Sequence, residues 1–152
     1  MKHFYVPILT SLFILTGCAM SSNELRADPH EKGSIRVALP YSVAFANIAS
    51  SANECFPSRL TGVAYAYTTI AVTYMHVNVT EIETGKLTRV EVVVDRAIGK
   101  NNVIVSIDVR SIPAGTEIDC YISQRYFGTY YDSPSFRPIA EAWANGNGTK
   151  CS

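Results

Sequence analysis

Histidine is the commonest general acid and base in proteins, and this chain of 152 residues carries three: His3, His30 and His76. A Ser–His–Asp triad needs a histidine placed between a nucleophile and an acid. His76 lies in the alternating segment TYMHVNV, which puts it on the polar side of a strand beside Tyr74 and Asn78, without a catalytic partner nearby in the sequence. The pattern predicts a surface histidine, and a binding role is the functional alternative.

Charged side chains alternate along the predicted strands and could supply paired carboxylates. One predicted sheet face carries Arg89, Glu91, Asp108, Arg110, Asp119 and Tyr121. Opposite charges on facing strands most often form cross-strand pairs, and acid and base roles cannot be assigned without geometry. No phosphate-binding loop, HExxH or GxSxG motif occurs. We therefore expect a protein that is not an enzyme and needs no cofactor, and a polar recognition face is the functional alternative for these charges.

The segment CYISQRYFGTYYDSPSF is the densest in aromatic residues. Tyrosine combines an apolar ring with a polar hydroxyl, which suits contact with carbohydrate or peptide. The same tyrosines could instead seal the loop between the last strand and the last helix. Together with His76, the candidate binding residues are Tyr126, Tyr130 and Tyr131.

An apolar stretch of about a dozen residues follows Lys2, too short for a membrane-spanning helix of about 20 residues but typical of a secretory signal. It ends in Leu15-Thr16-Gly17-Cys18, which resembles the lipobox of bacterial lipoproteins. The resemblance implies cleavage after Gly17 (residues 1–17 being the signal peptide), diacylglycerol on the Cys18 sulfur and a fatty acyl chain, such as palmitate, on the new amino group. Ala19 in the next position implies the outer membrane of a Gram-negative envelope, with the domain in the periplasm.

Removal of residues 1–17 leaves 135 residues, enough for one domain with a sizeable core. The remaining charges nearly cancel and form no basic cluster, which argues against nucleic acid as a partner. Residues 18–33 are polar and charged without apolar periodicity. We expect the lipidated N-terminus and a flexible tether in residues 18–33, and a single α+β domain in residues 34–152.

Three more cysteines, Cys55, Cys120 and Cys151, allow one disulfide in an exported protein. Cys120 alternates with Ile118 and Ile122, which predicts a buried core thiol. Cys55 closes a helical segment and Cys151 lies next to the last residue, so both are expected near the surface. We predict a Cys55–Cys151 disulfide. A metal site is the rival interpretation, but neither CxxC nor paired histidine spacing supports one.

Turn signals at regular intervals divide β-branched segments into an antiparallel sheet with one buried and one wetter face. The turns between these strands are ETGK, IGKNN and PAGT. The residues predicted on the buried sides of the three strands are, in chain order, Val90, Val92 and Val94; Val103, Val105, Ile107 and Val109; and Ile118 and Ile122. The segment 63–83 is either two strands or one strand with a bulge near residues 68–69.

Two amphipathic helices flank this sheet in the sequence. Ser42 is the predicted cap of a helix that runs to about Cys55, and Ser133 or Ser135 caps a closing helix that Gly146 ends. We predict a two-layer α+β fold with an antiparallel meander of about four to five strands, packed by an N-terminal and a C-terminal helix. The order of these elements is similar to a reduced helix-grip arrangement.

Beyond the anchor, a helix ending at Cys55, the meander, and then Trp143, Gly146 and Cys151 resemble small uncharacterised lipoproteins of Gram-negative bacteria. That group has no assigned activity, so the resemblance implies no site, although it supports the Cys55–Cys151 pairing. We expect a non-enzymatic envelope module, held at the membrane by its lipid, that binds a protein or cell-wall partner. The alternative is a carrier of a small ligand or lipid in a pocket between the sheet and the closing helix.

Overall fold

The computed structural model describes residues 20–57, 59–66, 69–96, 101–123 and 136–148. Its strands are β1 (Glu31–Val37), β2 (Arg59–Ala66), β3 (Thr69–Glu83), β4 (Leu87–Arg96), β5 (Asn102–Ile112) and β6 (Gly115–Ile122). Its helices are α1 (Ser22–Ala27), α2 (Tyr41–Cys55) and α3 (Phe136–Ala144). Among these described helices, none is long and apolar enough to span a membrane.

The six strands form one antiparallel sheet in the order β1-β6-β5-β4-β3-β2. β2 to β6 make the meander, and β1 returns to pair with β6 along seven residues. The α+β class and the antiparallel sheet are thus confirmed. The sheet has six strands rather than four to five because the segment 63–83 contributes to two, β2 and β3, in addition to β1.

Alternation along β4, β5 and β6 places one side of every strand in a single core beneath α2 and α3. The predicted inward residues of β4 and β6 are all buried there. From the helices, Ile48 and Trp143 are fully buried, and Phe56 meets the Trp143 ring edge-on at 6.2 Å between centroids. Beneath α2 and α3, this face of the sheet, the core face, is therefore packed with apolar side chains.

Val103 is the exception to the predicted alternation. Val92 pairs with Val105, but the next residue, Val93, pairs with Val103, so Ile104 is an extra residue in β5. A bulge of one residue exchanges the two faces of a strand. Ile104 therefore enters the main core, and Val103 lies with Val93 on the opposite face.

The two large helices begin and end close to the predicted positions. α2 starts at Tyr41 with Pro40 as its N-cap, and the cap makes no side-chain hydrogen bond, so Ser42 is not the capping residue. α3 is followed by Gly146 at φ +81°, and the Gly146 N–H donates to the Trp143 carbonyl over 3.0 Å. The predicted left-handed stop at Gly146 is confirmed.

The N-terminal segment differs most from expectation. Residues 22–27 form α1, and β1 begins at Glu31, so the folded domain starts well before residue 34. α1 lies on the opposite face of the sheet from α2 and α3. The predicted tether of residues 18–33 is corrected accordingly: most of it is folded against the domain.

Candidate functional site

α1 is held on the second face of the sheet by one apolar side chain. Leu25 is fully buried and packs with Val93 and Val103, while Met20 and Tyr121 flank the cluster. The bulge at Ile104 supplies Val103 to this face. The register irregularity in β5 thus creates the contact that receives the N-terminal helix.

A charged cluster lies beside this apolar contact. Arg26 Nη2 donates to Asp108 Oδ1 over 2.7 Å and to Ser106 Oγ over 3.1 Å. Arg89 Nε donates to the same Asp108 oxygen over 3.0 Å, and Ser106 Oγ donates to Glu91 Oε1 over 3.3 Å. Two guanidinium groups therefore compensate a carboxylate that is only 6% exposed, as a buried charge requires.

The ring of Tyr121 completes the cluster. The Arg26 guanidinium lies 4.7 Å from the ring centroid, and the Lys32 ammonium lies 5.4 Å from it. Both distances suit cation–π attraction. Arg26 Nε and Nη1 are buried without hydrogen-bond partners among the described residues, so the ring is the group that faces their charge.

This arrangement accounts for the charged residues that were predicted to share one face of the sheet. Arg89 pairs with Asp108, and Arg110 lies 3.5 Å from Glu117 and 4.0 Å from Asp119. The predicted cross-strand pairing is confirmed. Glu91 and Asp108 are buried rather than wet, and Arg26 of α1 pairs directly with Asp108. Because Asp108 pairs with Arg26 of α1 as well as with Arg89, the cluster fixes the helix on the sheet.

The chain before α1 is also tied to the sheet. The Met20 N–H donates to Asn102 Oδ1 over 2.8 Å, and the Val103 N–H donates to the Met20 carbonyl over 2.8 Å. Met20 is thus fixed at the end of the sheet where β5 begins. Cys18, the predicted lipid-bearing residue, precedes it by two positions and lies outside the described residues.

One sequence signal could have identified α1. Ser21 and Glu24 form a capping box: Glu24 N–H donates to Ser21 Oγ, and Ser21 N–H donates to Glu24 Oε2. The S-x-x-E spacing marks helix starts in sequence. The single large apolar residue of the helix, Leu25, gives no periodicity, and for this reason the segment is predicted to be a polar tether.

Cys120 is a free thiol in the core, 3% exposed, as predicted. Burial, followed by the nearby carboxylate of Asp119, raises the pKa of the Cys120 thiol far above its ordinary range. Such a thiol stays protonated and is neither a nucleophile nor a metal ligand. Within the described part of the chain, no group of three His, Cys, Asp or Glu residues is placed to hold a metal ion.

Cys55 ends α2 and faces the chain that leaves α3. Its Sγ lies 3.6 Å from the carbonyl oxygen of Gly148, three residues before Cys151. Three residues can span up to about 10 Å, so Cys151 is within reach of Cys55. Cys151 lies outside the described residues, and the disulfide stays a prediction.

His76 lies on the second face, near the end of the sheet where β4 finishes. Its Nδ1 is 3.0 Å from Asp95 Oδ2, and both side chains are about one-third exposed (36% each). Tyr74, next along the same face of β3, is 53% exposed. The carboxylate orients the imidazole, which fits a surface ion pair or a polar contact to a ligand; a binding role for His76 stays a prediction.

β3 has a long open edge. β2 pairs with β3 only as far as Arg59 opposite Met75, whereas β4 pairs with it as far as Leu87 opposite Glu83. Within the described residues, positions 77–83 of β3 therefore make strand pairing on one side only. Val79 and Ile82 in this stretch are 43% and 48% exposed. We call residues 77–83 the open edge.

The remaining candidate binding residues, Tyr126, Tyr130 and Tyr131, lie outside the described residues. The alternative function, a carrier with a pocket between the sheet and the closing helix, is based partly on the same aromatic segment. It therefore also stays a prediction.

Comparison with known proteins adds little to this geometry. No family model matches the chain. No curated protein matches it either. Two solved structures share 11–12% sequence identity with it.

The first of these is DynU16, from the dynemicin biosynthetic locus: 12% identity, TM-score 0.32, covering 77% of this chain and 44% of that one. The second is an uncharacterized protein from Rhizobium leguminosarum: 11% identity, TM-score 0.31, covering 80% and 94%. The chain thus spans less than half the length of DynU16. Neither likeness carries an argument about function.

Proposed function

We propose that this protein is a lipid-anchored envelope protein of a Gram-negative bacterium and acts, without catalysing a reaction, as a binding module in the periplasm. The lipobox at residues 15–18 supports the location. The open edge of β3 carries the binding role, because exposed strand edges take up an extended segment of another protein as an additional strand.

The open edge has the composition of a docking strand. A protected edge normally carries charged residues, prolines or a cover. Here Glu81 and Glu83 supply charge, but Glu81 Oε1 accepts from the Gly85 N–H and Glu83 pairs with Lys86 at 2.6 Å. Val79 and Ile82 are left exposed in the same stretch. The occupant we propose is an extended segment of an envelope protein with apolar residues at alternate positions.

The anchor is tested by intact-mass measurement of protein extracted from membranes. We expect the mass of residues 18–152 plus a diacylglyceryl group and an acyl chain, and a Cys18→Ser variant whose mass shows no acyl groups and retains residues 1–17. A wild-type protein with a free Cys18 thiol and residues 1–17 attached would contradict the location.

The open edge is tested by photo-crosslinking in the intact envelope. A photoreactive amino acid in place of the exposed Asn78 should capture a discrete partner, and Val79→Lys should abolish the capture because charge blocks strand addition. Tyr74→Lys is the matched control: Tyr74 is equally exposed on the same strand, but β2 and β4 pair with it on both sides. Both variants should unfold at the wild-type temperature.

Two results would contradict binding at this edge. One is capture that persists in Val79→Lys, and the other is capture that Tyr74→Lys abolishes to the same extent. Repeated absence of any discrete partner would contradict the binding role itself.

A further inference from the structure

The distance between the lipid and the folded domain is very short. Met20 is fixed to β5 by two hydrogen bonds of 2.8 Å. Cys18 is two residues away, and a fully extended chain spans at most about 3.6 Å per residue. The Cys18 Cα therefore lies within about 7 Å of the Met20 Cα, whatever the conformation between them.

This attachment is at a defined end of the sheet. Asn102, which accepts from Met20, pairs with Val94 near the end of β4, whereas Arg110 pairs with Leu87 at the start of β4. These two pairs are seven residues apart along β4, about 24 Å at 3.4 Å per residue. We call the first the anchored end; the turn of residues 84–86 lies at the distal end.

The anchored end has the composition of a surface that contacts lipid headgroups. His30 and Asn101 are exposed there, and His30 is tied back to the sheet through its N–H, which donates to the Ile122 carbonyl over 2.8 Å. Polar side chains suit contact with headgroups rather than insertion among acyl chains.

We propose that the domain is held in one orientation on the bilayer, with the anchored end against the headgroups and the strands running away from the membrane, so that the open edge of β3 extends toward the distal end. This inference depends on the proposed lipidation of Cys18. The two-residue connection is too short to act as a tether, and the contacts of Met20, Leu25 and Arg26 with the sheet prevent α1 from lengthening it. The open edge would then stay clear of the headgroups and accessible to partners in the periplasm.

Energy transfer to labelled lipids tests the orientation. An azide-bearing amino acid at Asn101 or at Thr84 carries the donor dye, and the purified lipidated protein is placed in vesicles of phosphatidylethanolamine and phosphatidylglycerol with acceptor dye on the headgroups. Because the sites are separated by about 24 Å or more along the sheet, we expect transfer from position 101 to be at least about twofold greater than from position 84.

The control lengthens the connection between Cys18 and Met20. A Gly/Ser insert of about 20 residues after Ala19 has a mean reach of about 25 Å, so the domain can turn and the two efficiencies should converge. Equal transfer from both positions in the protein without the insert would overturn the fixed orientation. Failure of lipidation is a different result: the protein would not float with the vesicles, and its intact mass would lack the acyl groups.

Discussion

Arg26 connects α1 to the sheet through an ion pair, a hydroxyl and an aromatic ring. We predict that Arg26→Ala lowers the free energy of unfolding by about 1–3 kcal/mol, because hydrogen bonds to charged groups are worth that much and Asp108 is buried. Arg89 remains to compensate the carboxylate, which limits the loss. Urea unfolding followed by circular dichroism measures the change.

Arg36 offers a matched control for this substitution. It forms an ion pair of 2.9 Å with Glu117, but its side chain is 75% exposed. Exposed pairs contribute less than about 1 kcal/mol, so Arg36→Ala should be nearly neutral. Equal effects of the two substitutions would mean that the cluster under α1 is not formed in solution.

Cys120 should make stability depend on pH in the alkaline range. In the unfolded chain the thiol ionises near its ordinary pKa of about 8.5, whereas burial raises the pKa of the folded thiol and keeps it protonated. Above pH 8.5 the unfolded state therefore binds fewer protons than the folded state. The stabilising contribution of the buried thiol is fully present below pH 8.5. Above that pH the free energy of unfolding falls by about 1.4 kcal/mol per pH unit.

Comparison with Cys120→Ala isolates this effect from other titrating groups. Urea titrations at pH 7.5 and 9.5 give the unfolding free energies of wild type and variant. The amount by which wild type is more stable than the variant should be about 1.4 kcal/mol smaller at pH 9.5 than at pH 7.5. If the difference stays constant between the two pH values, the thiol is more exposed to water than its position in the core implies.

At the scale of elements, α1 is the helix held by the smallest apolar contact. We predict that Leu25→Ala loosens it, because removal of a fully buried leucine costs about 2–5 kcal/mol. Trypsin cleavage after Arg26 should accelerate at least about tenfold, since local opening exposes that bond. The rate of appearance of the cleaved chain under native conditions measures it.

Leu39→Ala is the control for Leu25→Ala. Leu39 is half-buried against the main core on the other side of the sheet. Its substitution should lower global stability without accelerating cleavage after Arg26. If both variants are cut at the wild-type rate, α1 does not depend on Leu25 for its position.

The elements show what a sequence pattern can and cannot predict. The hairpins, the buried sides of β4 and β6, and Gly146 follow from local signals: alternation, turn residues and a left-handed glycine. The inserted Ile104 breaks no local rule in its strand, because every residue from Val103 to Val105 is apolar, so only the partner strand reveals the bulge. For the same reason the contact of Leu25 with Val93 and Val103 could not be predicted.

In the candidate site, too, local patterns predicted some features, whereas contacts between distant segments determined the others. The placement of His76 on the second face was predictable from alternation, but its partner Asp95 was not, because the pair lies diagonally across β3 and β4. The open edge exists because β2 stops pairing with β3 at Met75, and no residue type in β3 predicts that position. The junction at Met20 joins residues 82 positions apart.

At the scale of the whole molecule, the Cys55–Cys151 disulfide would join α2 to the chain end beyond α3. We predict that Cys55→Ser lowers the free energy of unfolding by up to about 4–5 kcal/mol, the chain-entropy value for a loop of this length, and often by less. Trypsin digestion without reductant should release residues 37–59 linked to residues 151–152, identified by mass spectrometry. Free thiols at both positions in the exported protein would contradict the pairing.

The separation of 82 positions between Met20 and Asn102 has a consequence for assembly. Loop closure over such a distance is entropically costly and slow, and during synthesis the N-terminal residues emerge long before β5 exists. The segment around Met20 therefore reaches its folded position only after β5 has been synthesised and has joined the sheet. If Cys18 is lipidated as proposed, the modification would act on a segment that is still unfolded, and the domain would take up its fixed position at the bilayer after the sheet has formed.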